Sequence, residues 1–117
     1  MEDLKKFIAT TIREYLNENN SYDKLDILLI YPKGSFGDKN NNIQLRTKNN
    51  NLYNQAKLLF HSELKQKYGD LKYFLQGDFK FGDEYWLMFE SWGDNDDLFM
   101  ESVEYLSNKL NIEYDIV

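Results

Sequence analysis

The sequence predicts an α+β domain with a ferredoxin-like split βαββαβ sheet, an extra hairpin strand and a leading amphipathic helix. Three observations favour this class. Apolar residues recur with helical spacing in three stretches, and apolar or alternating strand patterns fill the stretches between them. In addition, 117 residues with 42% hydrophobic and 29% charged content suit one folded core.

The first element is a predicted helix over residues 1–18. Its apolar residues recur at steps of three and four, which gives the helix one apolar side. These residues are Leu4, Phe7, Ile8, Thr11, Ile12, Tyr15 and Leu16. The polar residues 19–24 favour turns and predict a linker, so we expect a single α+β domain over residues 25–117.

Two strands come next. Residues 25–31 form an almost unbroken apolar run closed by Pro32, which is typical of a strand buried on both faces. Residues 33–42 predict a loop, and residues 43–47 alternate between apolar and polar side chains as a half-exposed strand does.

The remaining elements follow in order. Asn49 to Asn51 predict the start of a second helix that ends at Gly69, and residues 71–81 alternate as a strand with a bulge at Gly77. Gly82 and Asp83 predict a hairpin turn into residues 85–89. Asp94 or Asn95 caps a third helix that reaches Leu110, and residues 112–116 predict the final strand.

The ferredoxin-like order requires two elements to be set aside, the leading helix and the strand 43–47. The rest reads strand, helix, strand, strand, helix, strand, and the first and third of these strands then lie in the middle of the sheet. Strand 43–47 has no place in that order. It forms an edge, or the topology is a different one.

Composition excludes several classes of protein. The chain has no cysteine, so we expect no disulfide scaffold, no cysteine-ligated metal and no thiol catalysis. No apolar run approaches the roughly 20 residues of a membrane helix. We therefore expect a soluble, intracellular protein without membrane contact, metal or cofactor.

No catalytic constellation emerges from the motifs. His61 is the only histidine, and we expect it to be a partly exposed helix residue. Residues 94–97 are rich in acids but lack the later ligands of a calcium loop, so they favour helix capping. Glu63 and Lys65 have a nuclease-like spacing but fall within a helix. Residues 33–39 lack the ending of a phosphate loop. We expect no enzyme.

Nine aromatic residues lie between Tyr68 and Trp92. An exposed aromatic sheet is how RNA-recognition modules stack bases, whereas core packing or a protein partner also accounts for such a cluster. The glycine-aromatic motif of those modules is absent, and nearby acids would repel phosphate. These acids are Asp78, Asp83, Glu84 and Glu90. We do not expect nucleic acid as a partner.

The charge is uneven along the chain. The net charges of residues 1–18, 19–82 and 83–117 are −1, +4 and −9. Fixed negative charge can occupy a site meant for nucleic acid on another protein. The predicted protein-binding surface consists of Asp94, Asp96, Asp97, Glu101 and Glu104.

Residues 1–18 read MEDLKKFIATTIREYLNE, and Leu16, Asn17 and Glu18 end the apolar helix pattern. This segment resembles the capsid-targeting leaders of internal head proteins in T-even-type phages. Such leaders are short amphipathic helices that a prohead protease cuts after a Leu-x-Glu or Ile-x-Glu site. Ile12, Arg13 and Glu14 form a second match. The resemblance covers residues 1–18 alone.

The resemblance implies that the leader binds the phage scaffold core and is removed by the prohead protease. The mature domain is then delivered from the capsid interior into the host cytoplasm. There we expect it to act as a non-enzymatic inhibitor or binder of an unknown host protein. The alternative is a small cytoplasmic protein- or RNA-binding module whose first helix is integral to the fold.

Overall fold

The computed structural model describes residues 24–35 and 39–117. The predicted leader helix and all but the last residue of the predicted linker lie outside these residues. The strands are β1 (Ile27–Tyr31), β2 (Asn41–Thr47), β3 (Tyr73–Phe81), β4 (Glu84–Ser91) and β5 (Glu113–Ile116). The helices are α1 (Asn50–Leu59), α2 (Lys65–Lys67) and α3 (Asp96–Leu110). A π-helical segment, Phe60–Leu64, joins α1 to α2.

The five strands of the described residues form one mixed sheet in the order β3-β4-β2-β1-β5. β1 and β5 are parallel, and the other three neighbouring pairs are antiparallel. The predicted α+β class is therefore confirmed. Within the described part of the chain, no helix has both the length and the apolar character needed to cross a membrane.

The strand order differs from the predicted ferredoxin-like order. β2, the predicted extra strand, lies in the centre, where Leu45 pairs with Leu28 of β1 on one side and with Leu87 of β4 on the other. β1 and β4 flank it and do not pair with each other. A central strand of a sheet with one uncovered face alternates apolar and polar residues just as an edge strand does. The alternating pattern of residues 43–47 therefore did not indicate whether this strand lies in the centre or at the edge of the sheet.

The helices cover one face of the sheet, which we call the inner face. Side chains from β1, β2 and β4 alternate onto this face, where Leu28, Ile43 and Phe89 are almost fully buried. Phe60 of the π-helical segment stacks on Phe89 with 4.6 Å between ring centroids. Val103 of α3 completes the same buried cluster.

Both long helices begin at predicted capping residues. Asn49 Oδ1 accepts hydrogen bonds from the amides of Asn51 at 2.9 Å and Leu52 at 3.2 Å. Asn95 Oδ1 accepts from the amide of Leu98 at 3.0 Å. Each cap satisfies amides that have no partner within the helix. Asn95, and not Asp94, is thus the cap of α3.

Candidate binding face of the sheet

The sheet face turned away from the helices, which we call the outer face, carries a patch of large apolar side chains. By strand register, Phe79 and Phe81 of β3 lie beside Trp86 and Glu84 of β4, and Trp86 lies beside Arg46 of β2. Four aromatic side chains here are about half exposed or more. They are Phe74 at 45%, Phe79 at 47%, Phe81 at 57% and, just after β4, Trp92 at 54%. Exposed aromatic clusters of this kind mark interaction sites.

A β-bulge in β3 puts two of these rings on the outer face. Before the bulge, Leu75 pairs with Phe89 on the inner face, and after it Gly77 pairs with Met88 on the outer face. Successive strand residues alternate in direction, so one inserted residue reverses the direction of every residue after it. Phe79 and Phe81 point outward for this reason; with unbroken alternation they would point inward.

Gly77 allows the Phe79 ring to lie close over the strand. A Cβ atom at position 77 would approach Phe79 Cε2 to 2.5 Å, well inside van der Waals contact. An aromatic ring packed over a strand glycine covers the backbone that the missing side chain leaves open. The glycine therefore sets the position of one of the exposed rings.

The aromatic side chains of the outer face contact each other. Ring centroids are 6.0 Å apart for Phe79 and Phe81, and 5.1 Å apart for Phe81 and Trp86. The Arg46 guanidinium carbon lies 4.4 Å from the Trp86 ring centroid. These contacts form one continuous surface across three strands, in the geometry that favours aromatic and cation–π packing.

Among the residues that the structure describes, Arg46 is the one basic side chain of this aromatic surface. Its Nη2 lies 3.5 Å from Glu84 Oε1, and only 13% of its side chain is exposed. Its Nε is buried and has no hydrogen-bond partner within residues 24–35 and 39–117. A buried donor without an acceptor is costly, so turning the Arg46 side chain toward a carboxylate or carbonyl oxygen brought to this face would gain a charge-assisted hydrogen bond.

The predicted acidic surface lies on the opposite side of the domain. Asp97, Glu101 and Glu104 follow each other at four- and three-residue steps on the exposed side of α3, and Asp94 precedes the helix. The structure thus brings three of the five acids into one row. α3 turns its other side to the core, so this row points away from the sheet.

Some of these acids are already engaged within the domain. Asp96 accepts a hydrogen bond from Asn41 at 3.1 Å and lies 3.2 Å from Lys33 Nζ. Those two hydrogen bonds, from Asn41 first and then from Lys33, hold the pKa of Asp96 below its usual value. Tyr68 and Tyr114 donate to Glu101 and Glu104. The protein-binding role of the acidic surface therefore stays a prediction. Fewer of its carboxylates are without partners in the domain than the sequence indicates.

A second polar cluster ties α1 to β3. Asp78 Oδ1 accepts from Tyr53 Oη at 2.7 Å, and Asp78 Oδ2 lies 2.9 Å from Lys57 Nζ. Burial raises the pKa of Asp78, but the hydrogen bonds from Tyr53 and Lys57 outweigh it, and the net pKa is lowered. The bulge turns Asp78 toward the helix. We interpret this cluster as a structural link and not as catalytic chemistry.

The other residues considered from sequence have structural surroundings. His61 is exposed, as predicted, and Glu63 accepts a hydrogen bond from Tyr105 and lies 3.7 Å from Lys109 Nζ. Among the residues that the structure describes, no three His, Asp or Glu side chains gather as metal ligands. The cleavage motif at Leu16, Asn17 and Glu18 lies outside the described residues.

The aromatic cluster is visible in the sequence, but the position of Arg46 and Trp86 at its centre is not. The sequence feature that could have predicted the outward position of the rings was Gly77. A bulge there changes which residues share a face, and that change moves Phe79 and Phe81 outward. The pairing of β2 with β4, which brings Arg46 to Trp86, has no counterpart in the local sequence.

Comparison with known proteins yields no relative. No protein-family model matches the chain, and neither a curated protein nor a solved structure matches it at a significant level.

Proposed function

We propose that the protein is a non-enzymatic binding protein whose outer face contacts a host protein. The observation that carries this proposal is the continuous aromatic surface around Arg46 and Trp86. Exposed Phe and Trp side chains and a partly desolvated arginine are the residue types that dominate protein interfaces. In the proposal, the outer face binds a host protein through apolar contact, and the Nε–H donor of Arg46, unpaired among the described residues, orients that protein.

The charges of this face favour a protein partner over RNA. Glu84 and Glu90 lie among the outer-face side chains by register, and Asp115 lies on the same side of β5. Of the described basic residues, Arg46 alone opposes them within the aromatic patch. Nucleic-acid binding depends on several Lys or Arg contacts to phosphate, and clustered carboxylates oppose it.

The delivery part of the proposal is supported by the resemblance of residues 1–18 to phage capsid-targeting leaders. In this account the scaffold core binds the leader in the immature head, and the prohead protease cuts after Glu18. The domain beginning at Asn19 then remains in the capsid interior until it enters the host cytoplasm. Lys24 begins the described chain three residues before β1, and the proposed cut after Glu18 precedes the described residues.

A second candidate function is a cytoplasmic protein- or RNA-binding module with an integral first helix. One observation favours it. Leu29 is buried to 1% exposure on the outer face, where the helices do not reach. An apolar segment packed over β1 would account for that burial.

Intact-mass analysis of purified phage particles tests the proposal. The proposal expects a species whose mass corresponds to residues 19–117. A full-length species in particles, or particles without the protein, would refute packaging with cleavage. A Glu14→Gln, Glu18→Gln double variant provides the matched control, because it removes both candidate cleavage sites and should keep residues 1–18 in the packaged chain.

A further inference from the structure

We propose that residues 1–18 dock in cis on the outer face of the sheet and cover its aromatic surface in the uncleaved chain. The occupant is the amphipathic segment of the chain itself. This inference concerns the intact chain and needs no phage component. It goes beyond the proposed function, which assigns the same face to a host protein.

The described chain begins on the correct side of the sheet. Lys24 Nζ lies 3.4 Å from Asp115 Oδ2, and Asp115 pairs with Leu29 in the parallel β1–β5 ladder. Leu28 and Ile30 point into the helix-covered core, so Leu29 and Asp115 point to the outer face. The segment preceding Lys24 therefore starts next to the face that it is proposed to cover.

The linker is long enough to reach the aromatic patch. Residues 19–23 span up to about 17 Å when extended. β1 and β3 are separated by three strand spacings, about 14 Å in total. A short tether also holds the segment at an effective concentration in the millimolar range, so modest contact suffices for docking.

The segment and the face match in size and chemistry. Sixteen helical residues extend about 24 Å, and four strand spacings make the sheet about 19 Å wide. One side of the segment offers Leu4, Phe7, Ile8, Ile12 and Leu16. The face offers the half-exposed aromatic rings, and docking removes apolar surface of both from water at about 25 cal/mol per Å².

Two observations on the face fit a docked segment. Leu29 is buried at 1% exposure but is not part of the core cluster that the helices close. Arg46 Nε lacks an acceptor while its side chain is largely buried. A segment with an apolar side and flanking carboxylates, such as Glu14, supplies both the apolar cover and an acceptor.

Docking makes the two proposed uses of residues 1–18 mutually exclusive. The segment has one apolar side, so it cannot cover the sheet and bind scaffold helices at the same time. Cleavage after Glu18 would turn the docking into a bimolecular contact and free the face for a partner. This last consequence, unlike the docking, rests on the proposed function.

Paramagnetic NMR on the full-length chain tests the docking. The chain has no cysteine, so Thr10→Cys, on the polar side of the segment, takes a single nitroxide label. The only two tryptophans, Trp86 and Trp92, both lie at the outer face and give resolved indole N–H signals. We expect both indole signals to lose most of their intensity. Amides on the exposed side of α3, such as that of Glu101, should keep theirs.

Two controls make the result decisive. Adding Ile8→Glu to the labelled chain should restore the indole signals, whereas Lys6→Gln on the polar side should leave them broadened. Mixing labelled protein with isotope-labelled, nitroxide-free protein should leave the indole signals sharp. Unbroadened indoles in the single-label chain would overturn the proposal. Broadening in the mixed sample would also overturn it, because the occupant is then a second copy. Particle mass data decide the proposed function separately.

Discussion

The Gly77→Ala substitution tests whether the Phe79 ring of the aromatic surface packs over the strand at residue 77. The added Cβ would lie 2.5 Å from Phe79 Cε2 and 3.2 Å from Cζ, so the ring must move. Phe79 is 47% exposed, and its ring has room to swing away from the strand. We therefore expect the ring to leave its position over residue 77 while the sheet stays intact.

The size of the effect follows from the buried half of the ring. A phenylalanine side chain buries about 200 Å², so full displacement of a half-buried ring exposes about 100 Å², worth about 2.5 kcal/mol. Alanine recovers about 0.5–1 kcal/mol relative to glycine in a strand. The expected loss in the free energy of unfolding is about 1–2 kcal/mol.

Urea unfolding followed by circular dichroism measures this loss, since the fluorescence of Trp86 itself depends on the outer face. In a Phe79→Ala background, Gly77→Ala should cost nothing, and the cycle should show a coupling of at least about 1 kcal/mol. Gly69→Ala is the matched control, because no atom lies within 4 Å of its Cβ position. Equal costs of Gly77→Ala in the two backgrounds would refute the packing argument.

The remaining predictions concern the inner side of the domain and use urea unfolding as the measurement. The pKa of Asp78 is lowered on folding, so its stabilisation is present above the unfolded pKa and lost as pH falls through the folded one. Asp78→Asn should therefore destabilise at neutral pH and hardly at about pH 2. Equal effects at both pH values would contradict this. Phe60→Ala removes the ring stacked on Phe89 and should cost about 3–5 kcal/mol; a loss below about 1 kcal/mol would contradict its place in the core. Asn49→Ala should cost about 1 kcal/mol through the lost helix cap, and the exposed Asn54→Ala should cost none.

Helix starts and the bulge were predictable because their chemistry is local. Asn49 and Asn95 accept amide hydrogen bonds within three residues of their own positions. Gly77 interrupts an alternating strand, and the register shift occurs between Leu75 and Gly77. Each of these features depends on contacts that the neighbouring sequence already specifies.

Strand order and the binding face were not predictable in the same way. β2 pairs with both β1 and β4, and residues 43–47 look alike whether they form a central strand or an edge. The contact between Arg46 and Trp86 joins residues 40 positions apart in the sequence. Pairing across such separations is decided by the packing of the whole sheet, which a local pattern does not contain.

The identity of the partner surface is the central claim, and site-specific photo-crosslinking in host cells tests it most directly. A benzophenone amino acid is placed in separate full-length variants at Phe81 on the outer face and at Glu101 in the acidic row of α3. Both positions are exposed. After cleavage of the leader, the account predicts one discrete host-protein adduct from position 81 and none from position 101. Adducts from position 101 alone would contradict the account and return the binding role to the acidic row.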